Sequence, residues 1–232
     1  MSVIETRTAH VDDTSQIGLI MQAVWSYAEP NHLRIARVVQ DASHVTLIAV
    51  FDGVIAGFVD GFTTTTADSI LRWEVDLLAV HPDFQRQGLA SRLVSASSEA
   101  GQKRGASYAQ GLVAVDNVGS QKTFAHCGYE TDGVIHELLV AERARNPSGF
   151  EGNDSEAYLL PVKTMNYMGL WIEGQRQKSG LQRAINKLIG TDLDRAGAVV
   201  SETDTDVIEN AIALGFENVG RYQWWQRSLT SG

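Results

Sequence analysis

The stretch LLAVHPDFQRQGLA, residues 77–90, decides the fold of this chain. Its first four residues end an apolar, β-rich run, and the turn at residues 81–83 closes that run. From residue 89 onward, apolar side chains recur with the spacing of one buried helix face, at Leu89, Leu93, Ala96 and Ala100. The stretch therefore predicts a strand, a glycine-containing loop and a helix in direct succession.

The loop between this strand and this helix has the chemistry of an anion site. A glycine-rich turn at a helix start leaves several backbone N–H groups without intrahelical partners, and they point outward at the positive end of the helix dipole. Gly88 allows close approach of a ligand, Ala90 keeps the first turn narrow, and Arg86 adds a positive charge. Because many helices begin with glycine and polar residues for capping alone, the loop by itself leaves a phosphate site and a simple cap open.

Upstream of the stretch, helical and strand periodicities alternate. The predicted elements in order are a strand at 4–8, helices around 17–24 and 35–39, and strands at 45–51, 54–62 and 70–80. Asp52-Gly53, between two of the apolar runs, is a dipeptide typical of a hairpin. This region predicts a meander of three antiparallel strands behind two helices.

Downstream, the pattern changes the topology. A strand is predicted at 108–115, then a short helix that begins at Asp116-Asn117 and stops at Gly128, and then a strand at 134–140. A strand, a loop, a helix and a second strand form a crossover unit, which requires the two strands to be parallel neighbours. We therefore predict an α/β (α+β) fold in which a mixed central sheet lies between flanking helices.

The chain repeats part of this pattern beyond a charged segment. Residues 142–156 contain Pro147, Gly149 and Gly152, so we place a linker there, between a domain at 1–141 and a second region at 157–232. The second region repeats the glycine and apolar spacing of the first helix at Gly180, Leu181, Ile185 and Leu188. Its LGFE at 214–217 likewise repeats CGYE at 127–130. Strands predicted at 165–172, 198–201 and 222–227 complete a partial repeat.

Composition excludes several function classes. The 232 residues carry a formal net charge of −9, so we expect neither a nucleic acid nor a membrane as partner. Cys127 is the single cysteine, which excludes an intrachain disulfide framework and fits a reducing compartment. The histidines lack metal-ligand spacing, so we expect no metal. With no basic-then-apolar leader and no apolar run near the roughly 20 residues that span a bilayer, we expect a soluble, cytoplasmic protein.

The order of these motifs resembles the GCN5-related N-acetyltransferase (GNAT) family. The resemblance rests on LLAVHP at 77–82, on the loop Gln85-x-x-Gly88-x-Ala90 and on NVGSQKTFAHCGY at 117–129. The family's loop pattern is Gln or Arg, two residues, Gly, one residue, and Gly or Ala, and this sequence satisfies it. The resemblance makes 1–141 a GNAT domain and 157–232 a partial, degenerate GNAT-like repeat. Members of the family bind acetyl-coenzyme A (acetyl-CoA) and acylate an amine.

The resemblance implies which residues hold the cosubstrate acetyl-CoA. Backbone N–H groups of the loop would bind the pyrophosphate, and the exposed edge of the preceding strand would pair with the pantetheine amides like an added strand. In the family a bulge separates this strand from the next and admits the cofactor arm. A strand N–H near the acetyl carbonyl gains value as negative charge develops on its oxygen. The implied residues are Leu78, Ala79, Val80, Gln85, Arg86, Gln87, Gly88, Leu89, Ala90, Ser91, Asn117 and Phe124.

Transfer to an amine also needs a proton acceptor, because a free alkyl ammonium is almost entirely protonated near neutral pH. Glu74 stands where some family members carry a catalytic glutamate, and Asp76 shares its strand face. We predict Glu74 as the general base and Asp76 as a second carboxylate that shares the role or raises its neighbour's affinity for protons. The alternative for Glu74 is a solvated carboxylate or one paired with Arg72.

Phe124 departs from the family pattern. Many members have a tyrosine there that can protonate the leaving thiolate, whereas a phenyl ring cannot donate a proton. Phe124 can still pack beside the cofactor sulfur, and the thiolate can leave with help from water or as the free anion. Tyr129, in the Gly-aromatic close of the motif, is expected in the core.

Acceptor selectivity is expected from the first two helices and from the strands around 63–74. The candidates for acceptor binding are the polar and aromatic residues Trp25, Tyr27, Glu29 and Trp73. A small-molecule amine, a protein N-terminus and a lysine side chain stay open as acceptors, and a homodimer stays open as the assembly.

The second region is expected to lack a site of its own. Its loop, QKSGLQ at 177–182, has a bulky residue where the family needs Gly or Ala, and Asp204 stands where the first copy has Asn117. We predict that it packs against the first region or forms a wall of the acceptor pocket. The predicted function is direct transfer of an acetyl group from acetyl-CoA to a primary amine; the alternative is a catalytically silent acyl-CoA sensor or an assembly module.

Overall fold

A computed structural model describes residues 3–26, 29–143, 157–174 and 176–230. Its α-helices are α1 (Thr14–Val24), α2 (His32–Gln40), α3 (Leu89–Lys103), α4 (Val118–His126), α5 (Lys178–Lys187) and α6 (Thr205–Ala213). Its strands are β1 (Ile4–Thr8), β2 (His44–Phe51), β3 (Val54–Thr65), β4 (Leu71–Val80), β5 (Tyr108–Ala114), β6 (His136–Glu142), β7 (Ala157–Lys163), β8 (Met168–Gly174), β9 (Arg195–Ser201) and β10 (Glu217–Ser228). Glu142 ends β6, and the predicted linker beyond Arg143 lies outside the described residues.

The first half contains the predicted meander. Strands β1 to β4 pair antiparallel in sequence order, so β1 joins the meander as a fourth strand. The hairpin between β2 and β3 is confirmed, since Asp52 and Gly53 have φ angles of 48° and 85°, the left-handed conformation that a tight two-residue hairpin turn requires. The crossover is confirmed as well, because β4 and β5 pair in parallel with α3 between them.

The two halves exchange their last strands. The described strands form one sheet in the order β1-β2-β3-β4-β5-β10-β6-β9-β8-β7. Strand β10, from the end of the chain, pairs with β5 of the first half, and β6 pairs with β9 of the second half. The boundary predicted at residue 141 therefore separates segments of the chain but not two sheets. Alternation along each strand could not reveal this, because period-two patterning specifies a face and not a neighbour.

Helices cover both faces of the first half. On one face, α3 and α4 pack on a buried core that includes Trp73, Leu93 and Phe124. On the other face, α1 and α2 pack on a core that includes Phe58 and Met165. Met165 lies in the turn between β7 and β8 and is 2% exposed. The second half thus reaches the α1–α2 face of the first, which we call the cleft face.

The second half repeats the first in structure. Helices α5 and α6 share a core with β8 and β9, and the exchanged strand β6 adds Leu139 to it. Gly128 and Gly215 both end a helix with positive φ, 77° and 89°, and the aromatic residue after each, Tyr129 or Phe216, is 2% exposed. Strand β7 was not predicted. It forms one end of the sheet, where Pro161 is tolerated because an edge strand lacks one ladder partner.

Candidate functional site

Strand β4 separates from β5 halfway along its length. The two strands pair only over residues 72–74 and 108–110. In the described structure, residues 75–80 have no pairing on that side, while β3 still pairs with them on the other. An open strand edge therefore faces the space between β4 and β5, and this edge contains Leu78, Ala79 and Val80.

A β-bulge accompanies this separation. Val59 of β3 pairs with Leu78, and Gly61, two residues later, pairs with Val75, three residues earlier on β4. The additional residue on β4 falls at Asp76–Leu77. Bulges strengthen the local twist and bend the strand, which turns β4 away from β5. The bulge that the family resemblance implies is thus present.

The loop before α3 presents a row of backbone donors. Arg86 and Gly88 both have positive φ, 60° and 77°, and Gly88 is the N-cap of α3. Within the described part of the chain, none of the N–H groups of residues 86–91 donates a hydrogen bond to another protein group. Unpaired donors at the positive end of a helix form an anion site.

The space in front of this loop is open. A Cβ added at Gly88 would meet no atom within 4 Å, and the side chains of Gln85, Arg86 and Gln87 are exposed. By contrast, the side chain of Leu89 is buried, and that of Ala90 packs against the same core. Leu89, Ala90 and the half-buried Ser91 can therefore serve a ligand chiefly through their backbone. The loop has the room and the donors for a pyrophosphate.

Phe124 lies where β4 and β5 diverge. A Cβ at Gly111 would stand 2.5 Å from the Phe124 ring and 3.3 Å from the carbonyl oxygen of Val75, so only glycine lets the ring approach the sheet there. Tyr129 packs edge-to-face on Phe124 at 4.9 Å, and its hydroxyl bonds to Ser98 at 2.8 Å. Burial raises the pKa of Tyr129 to about 12. Tyr129 is a core residue, as expected, and a poor proton donor.

Asn117 caps α4. Its side-chain oxygen accepts a hydrogen bond from the N–H of Ser120 at 3.0 Å, an N-cap interaction that fixes the start of the helix. The side chain is exposed. Its observed contact is a cap, and its predicted part in cofactor binding stays a prediction.

Glu74 is held in a network of hydrogen bonds. Its Oε1 accepts from Nε of Arg72 at 2.6 Å and from the hydroxyl of Thr64 at 2.6 Å. The side-chain amide of Gln110 donates to Oε2 at 3.0 Å. The ion pair with Arg72, the alternative kept open for this residue, is therefore present. Both carboxylate oxygens of Glu74 accept hydrogen bonds from protein groups.

Asp76 has a different environment two residues later. Asp76 is an exposed residue of β4, but its carboxyl group lies among Asp60, Thr164 and His44 and loses part of its hydration there. Burial among them, followed by the charge of Asp60, raises the pKa of Asp76 to about 7, while the hydroxyl of Thr164 and the charge of His44 act in the opposite direction. A carboxyl with this pKa both accepts and releases a proton near neutral pH.

The second half packs against the first beside Glu74. Glu173 of β8 forms an ion pair with Arg72 of β4, and both side chains are largely buried. Burial alone would lower the pKa of Arg72, but the charges of Glu74 and Glu173 raise it above its ordinary value. Removing one side chain of such an ion pair leaves the other as an unpaired charge in the interior. An ion pair between β4 and β8 thus joins the two halves.

Of the predicted acceptor residues, Trp73 is misplaced. Its side chain is fully buried, its indole N–H donates to Ser97 at 2.9 Å, and Gly61 and Gly101 have no Cβ where the ring packs. Trp73 points to the α3 face, because odd-numbered residues of β4 before the bulge face away from Glu74 and Asp76. It is a core residue that cannot contact an acceptor in the cleft.

Trp25 and Glu29 stay candidates for acceptor binding. Trp25 ends α1 and packs, half-buried, on the cleft-face core, and Glu29 is exposed before α2. Tyr27 lies outside the described residues. Of these candidates, Trp25 is therefore on the cleft face.

Sequence reasoning missed a buried pair on the cleft face. His44 on β2 and Asp60 on β3 lie 2.8 Å apart, and Thr46 donates a hydrogen bond to the same carboxylate at 2.8 Å. A signal was available, since His44, Thr46 and Asp60 interrupt two otherwise apolar strands at inward-facing positions. Polar residues at such positions need partners.

No metal centre or membrane span is found in the part of the chain that the structure describes. Its His, Cys, Asp and Glu residues form no group of three that could hold a metal ion. Cys127 is a free, buried thiol. None of the described helices combines the length and the apolar character needed to cross a bilayer.

Comparisons with known proteins bear on this geometry. Residues 16–129 match the model of the acetyltransferase (GNAT) family. A search of curated proteins finds no match.

Solved structures give the fold of the whole chain. A tandem GNAT protein from the clavulanic acid biosynthesis pathway, solved without acetyl-CoA, is 13% identical, with a TM-score of 0.62 over 99% of this chain and 100% of its own. A GCN5-related N-acetyltransferase from Sphaerobacter thermophilus is 13% identical, with a TM-score of 0.60 over 99% and 96%. A GCN5-related glucosamine N-acetyltransferase region of a fungal multi-domain β-N-acetylglucosaminidase is 12% identical, with a TM-score of 0.67 over 98% of this chain and 38% of that one.

These identities are low, so the solved structures establish the fold and not an activity. The tandem arrangement of the first of them fits the second GNAT-like region of this chain. The family match therefore makes residues 16–129, which contain the bulge, the open strand edge and the donor loop, a region of the acetyltransferase (GNAT) family.

Proposed function

We propose that this protein transfers an acetyl group from acetyl-CoA to a primary amine in a single, direct step. The observation that carries the proposal is the row of unpaired N–H groups at residues 86–91, set at the end of an unpaired strand edge. A pyrophosphate fits the donors, and the amides of a pantetheine arm fit the strand edge. A coenzyme A thioester combines both groups.

The residues fit such a ligand in a fixed order. The loop N–H groups bind the pyrophosphate, with the exposed Arg86 as an additional charge. Residues 78–80 provide main-chain partners for the arm, and the bulge gives it room between the strands. An N–H of this edge near the thioester carbonyl stabilises the negative charge that develops there during attack.

Asp76 is the proposed proton acceptor. The attacking nitrogen must lose a proton, and Asp76 is an exposed residue with a pKa of about 7. Glu74, the base expected from the sequence, has its lone pairs engaged by Arg72, Thr64 and Gln110. We therefore assign Glu74 to holding Arg72 and the cleft floor, and Asp76 to the proton.

The leaving thiolate departs without help from a tyrosine. Phe124 has no acidic proton, and the Tyr129 hydroxyl is bonded to Ser98 in the core. Because an ordinary thiol has a pKa of about 8.5, its anion is a tolerable leaving group near neutral pH. The thiolate then takes its proton from water.

The charges of the cleft favour a cationic acceptor. Asp76, Glu74 and Glu173 contribute three carboxyl groups beside Arg72, which pairs with the last two, and Trp25 packs on the core of the cleft face. A protonated amine is attracted to this field before Asp76 removes its proton. Small-molecule amines and protein amines both satisfy this chemistry.

A thiol-release assay tests the proposal. The protein is mixed with acetyl-CoA and a panel of primary amines, and free coenzyme A is measured against hydrolysis without amine. The proposal expects at least one amine to accelerate release and Gly88→Glu to abolish that acceleration. If coenzyme A raises the melting temperature but no amine increases thiol release, the protein is an acyl-CoA sensor and the transferase proposal is wrong.

A further inference from the structure

The buried pair of His44 and Asp60 has no part in the chemistry described so far. The carboxylate of Asp60 is fully buried and His44 is 8% exposed. Nδ1 of His44 stands 2.8 Å from one carboxylate oxygen of Asp60, and the hydroxyl of Thr46 donates to the other at 2.8 Å. The ring of Phe62 stacks on His44 at 4.8 Å. Hydrogen bonds to both carboxylate oxygens fix the orientation of the Asp60 carboxylate.

Its position relates it to Asp76. Asp60 is the β3 residue between Val59 and Gly61, so it lies opposite the β4 bulge that contains Asp76. Neighbouring side chains on one face of paired strands have Cβ atoms roughly 5 Å apart. The bulge therefore places the carboxyl group of the exposed residue Asp76 beside that of Asp60, which is buried and fixed.

We propose that Asp60, held by His44 and Thr46, is a positioning residue whose fixed negative charge makes Asp76 a stronger proton acceptor for the incoming amine. The inference rests on the proposed function, since it gives a role in that transfer to a residue that does not touch the acceptor. A pair that served only to join β2 and β3 would leave the proton affinity of Asp76 unchanged when its charge is removed.

Every element around Asp76 contributes to its electrostatics. Asp60 on β3 and Glu74 on β4 favour the protonated form, whereas His44 on β2 and Thr164 from the β7–β8 turn favour the charged form. Glu74 is in direct contact with Arg72, which offsets its charge.

His44 is one strand further from Asp76 than Asp60 is, so the carboxylate has the stronger influence. Burial lowers the pKa of His44, but the hydrogen bond and charge of Asp60, together with the charges of Asp41 and Asp76, raise it above the ordinary value.

The test is the titration of Asp76 itself. Protein labelled with ¹³C at aspartate carboxyls is titrated by NMR, and the Asp76 signal is identified by its loss in Asp76→Asn. In Asp60→Asn we expect the midpoint of Asp76 to fall by about one pH unit, because a like charge beside it is gone. The acid limb of the pH profile of kcat/KM should move in the same direction. An unmoved Asp76 midpoint in folded Asp60→Asn overturns the inference.

A second variant keeps the test decisive if Asp60→Asn does not fold. His44→Gln retains a donor for Asp60 but removes the positive charge, so the Asp76 midpoint should rise, opposite to Asp60→Asn. A midpoint that falls or stays in place contradicts the inference. The matched control is Ser97→Ala, which removes the buried hydrogen bond to Trp73 on the α3 face and should lower stability without moving the midpoint.

The titration separates this inference from the proposed function. It needs no turnover, so the expected shifts in a protein that releases no thiol would support the electrostatic role and reject the transferase. Normal thiol release with an unmoved midpoint would do the reverse.

Discussion

The two halves place a glycine near the start of corresponding helices, but only the first glycine belongs to a donor loop. Gly88 is the N-cap of α3 in the left-handed conformation. Gly180 lies inside α5, which begins at Lys178. There the N–H groups of Gly180 and Leu181 donate to the carbonyl of Gln177 at 2.9 and 3.1 Å. The second loop therefore has fewer free donors for an anion.

The segment from the first parallel strand pair to the glycine is longer in the first half than in the second. Parallel pairing begins at Arg72 in the first half and at Gly169 in the second. From there the chain needs 16 residues to reach Gly88 (88 − 72) but only 11 to reach Gly180 (180 − 169). β8 pairs with β9 up to Ile172 and with β7 without a register shift. The additional residues of the first half form the bulge and the loop, so they make the site.

Corresponding carboxylates also differ. Asp76 and Glu173 each stand four residues after the first parallel pair (76 − 72, 173 − 169), yet Asp76 faces the cleft and Glu173 pairs with Arg72 of the other half. The comparison teaches that the repeat has kept its architecture, while Glu173 of the second half pairs with a residue of the first half.

The largest effect is expected when one negative charge is added to each of the two loops in turn and the coenzyme A affinities of the two variants are compared. Gly88→Glu puts a carboxylate among the loop donors at a φ of 77°, which is strained for any side chain but glycine. We expect coenzyme A affinity to fall by about 100-fold or more, since an unpaired charge in a binding site costs about 2–5 kcal/mol. Isothermal titration measures it.

Gln177→Glu is the matched control for that variant. It adds the same charge at the exposed start of α5 and should leave coenzyme A affinity unchanged. Equal losses in both variants would show that net charge, and not the first loop, governs binding.

The second prediction contrasts the two carboxylates of β4. Asp76→Asn should lower kcat by about 100-fold, the usual size for loss of a general base, with little change in coenzyme A affinity. Glu74→Gln should lower the melting temperature more than Asp76→Asn does, because it leaves the guanidinium of Arg72 short of one charge. Steady-state kinetics and thermal melts of both variants check this. A larger loss of kcat in Glu74→Gln would return the base to that residue.

The third prediction concerns the contact between the halves. In a double-mutant cycle of Arg72→Met and Glu173→Gln, we expect a coupling of about 1–3 kcal/mol in the free energy of unfolding, as for side chains that share an ion pair. Denaturant unfolding of the four proteins measures it. Additive effects would mean that the ion pair between the halves does not stabilise the folded protein.

The smallest expected effect is a pH dependence of stability. In the folded protein the pKa of Asp76 is raised to about 7, so the folded state binds this proton more tightly than the unfolded state. Its contribution to stability is full below the ordinary aspartate pKa and is lost as the pH rises through about 7. The melting temperature of Asp76→Asn minus that of the parent should therefore be more positive at about pH 8 than at about pH 5. The same difference at both pH values would contradict the raised pKa.

Much of the fold could be predicted from the sequence because local patterns determine it. The period of the apolar residues, the Asp52-Gly53 turn and the strand-loop-helix order around Gly88 each act over a few residues. The exchange of β6 and β10 could not be predicted, since it depends on which edge a strand meets after the chain has folded. Residues 157–163 lack the alternation of a typical strand, and Pro161 within them argues against one.

The site divides in the same way. The loop donors could be proposed from the sequence, because a glycine-containing turn before a helix leaves N–H groups without partners, but a similar glycine before α5 does not produce them. The contacts of Glu74 were not accessible, because they depend on Arg72, Gln110 and Thr64 meeting one carboxylate from three strands. Trp73 was assigned to the wrong face of the sheet. The alternation of side chains along a strand already places it on the face opposite to that of Glu74.

A crystal structure with acetyl-CoA tests the central claim most directly. We expect the pyrophosphate oxygens to lie within hydrogen-bond distance of the N–H groups of residues 86–91. The pantetheine arm should lie along residues 78–80, with the thioester between β4 and β5. A ligand bound at residues 176–181 instead, or away from both loops, would contradict it.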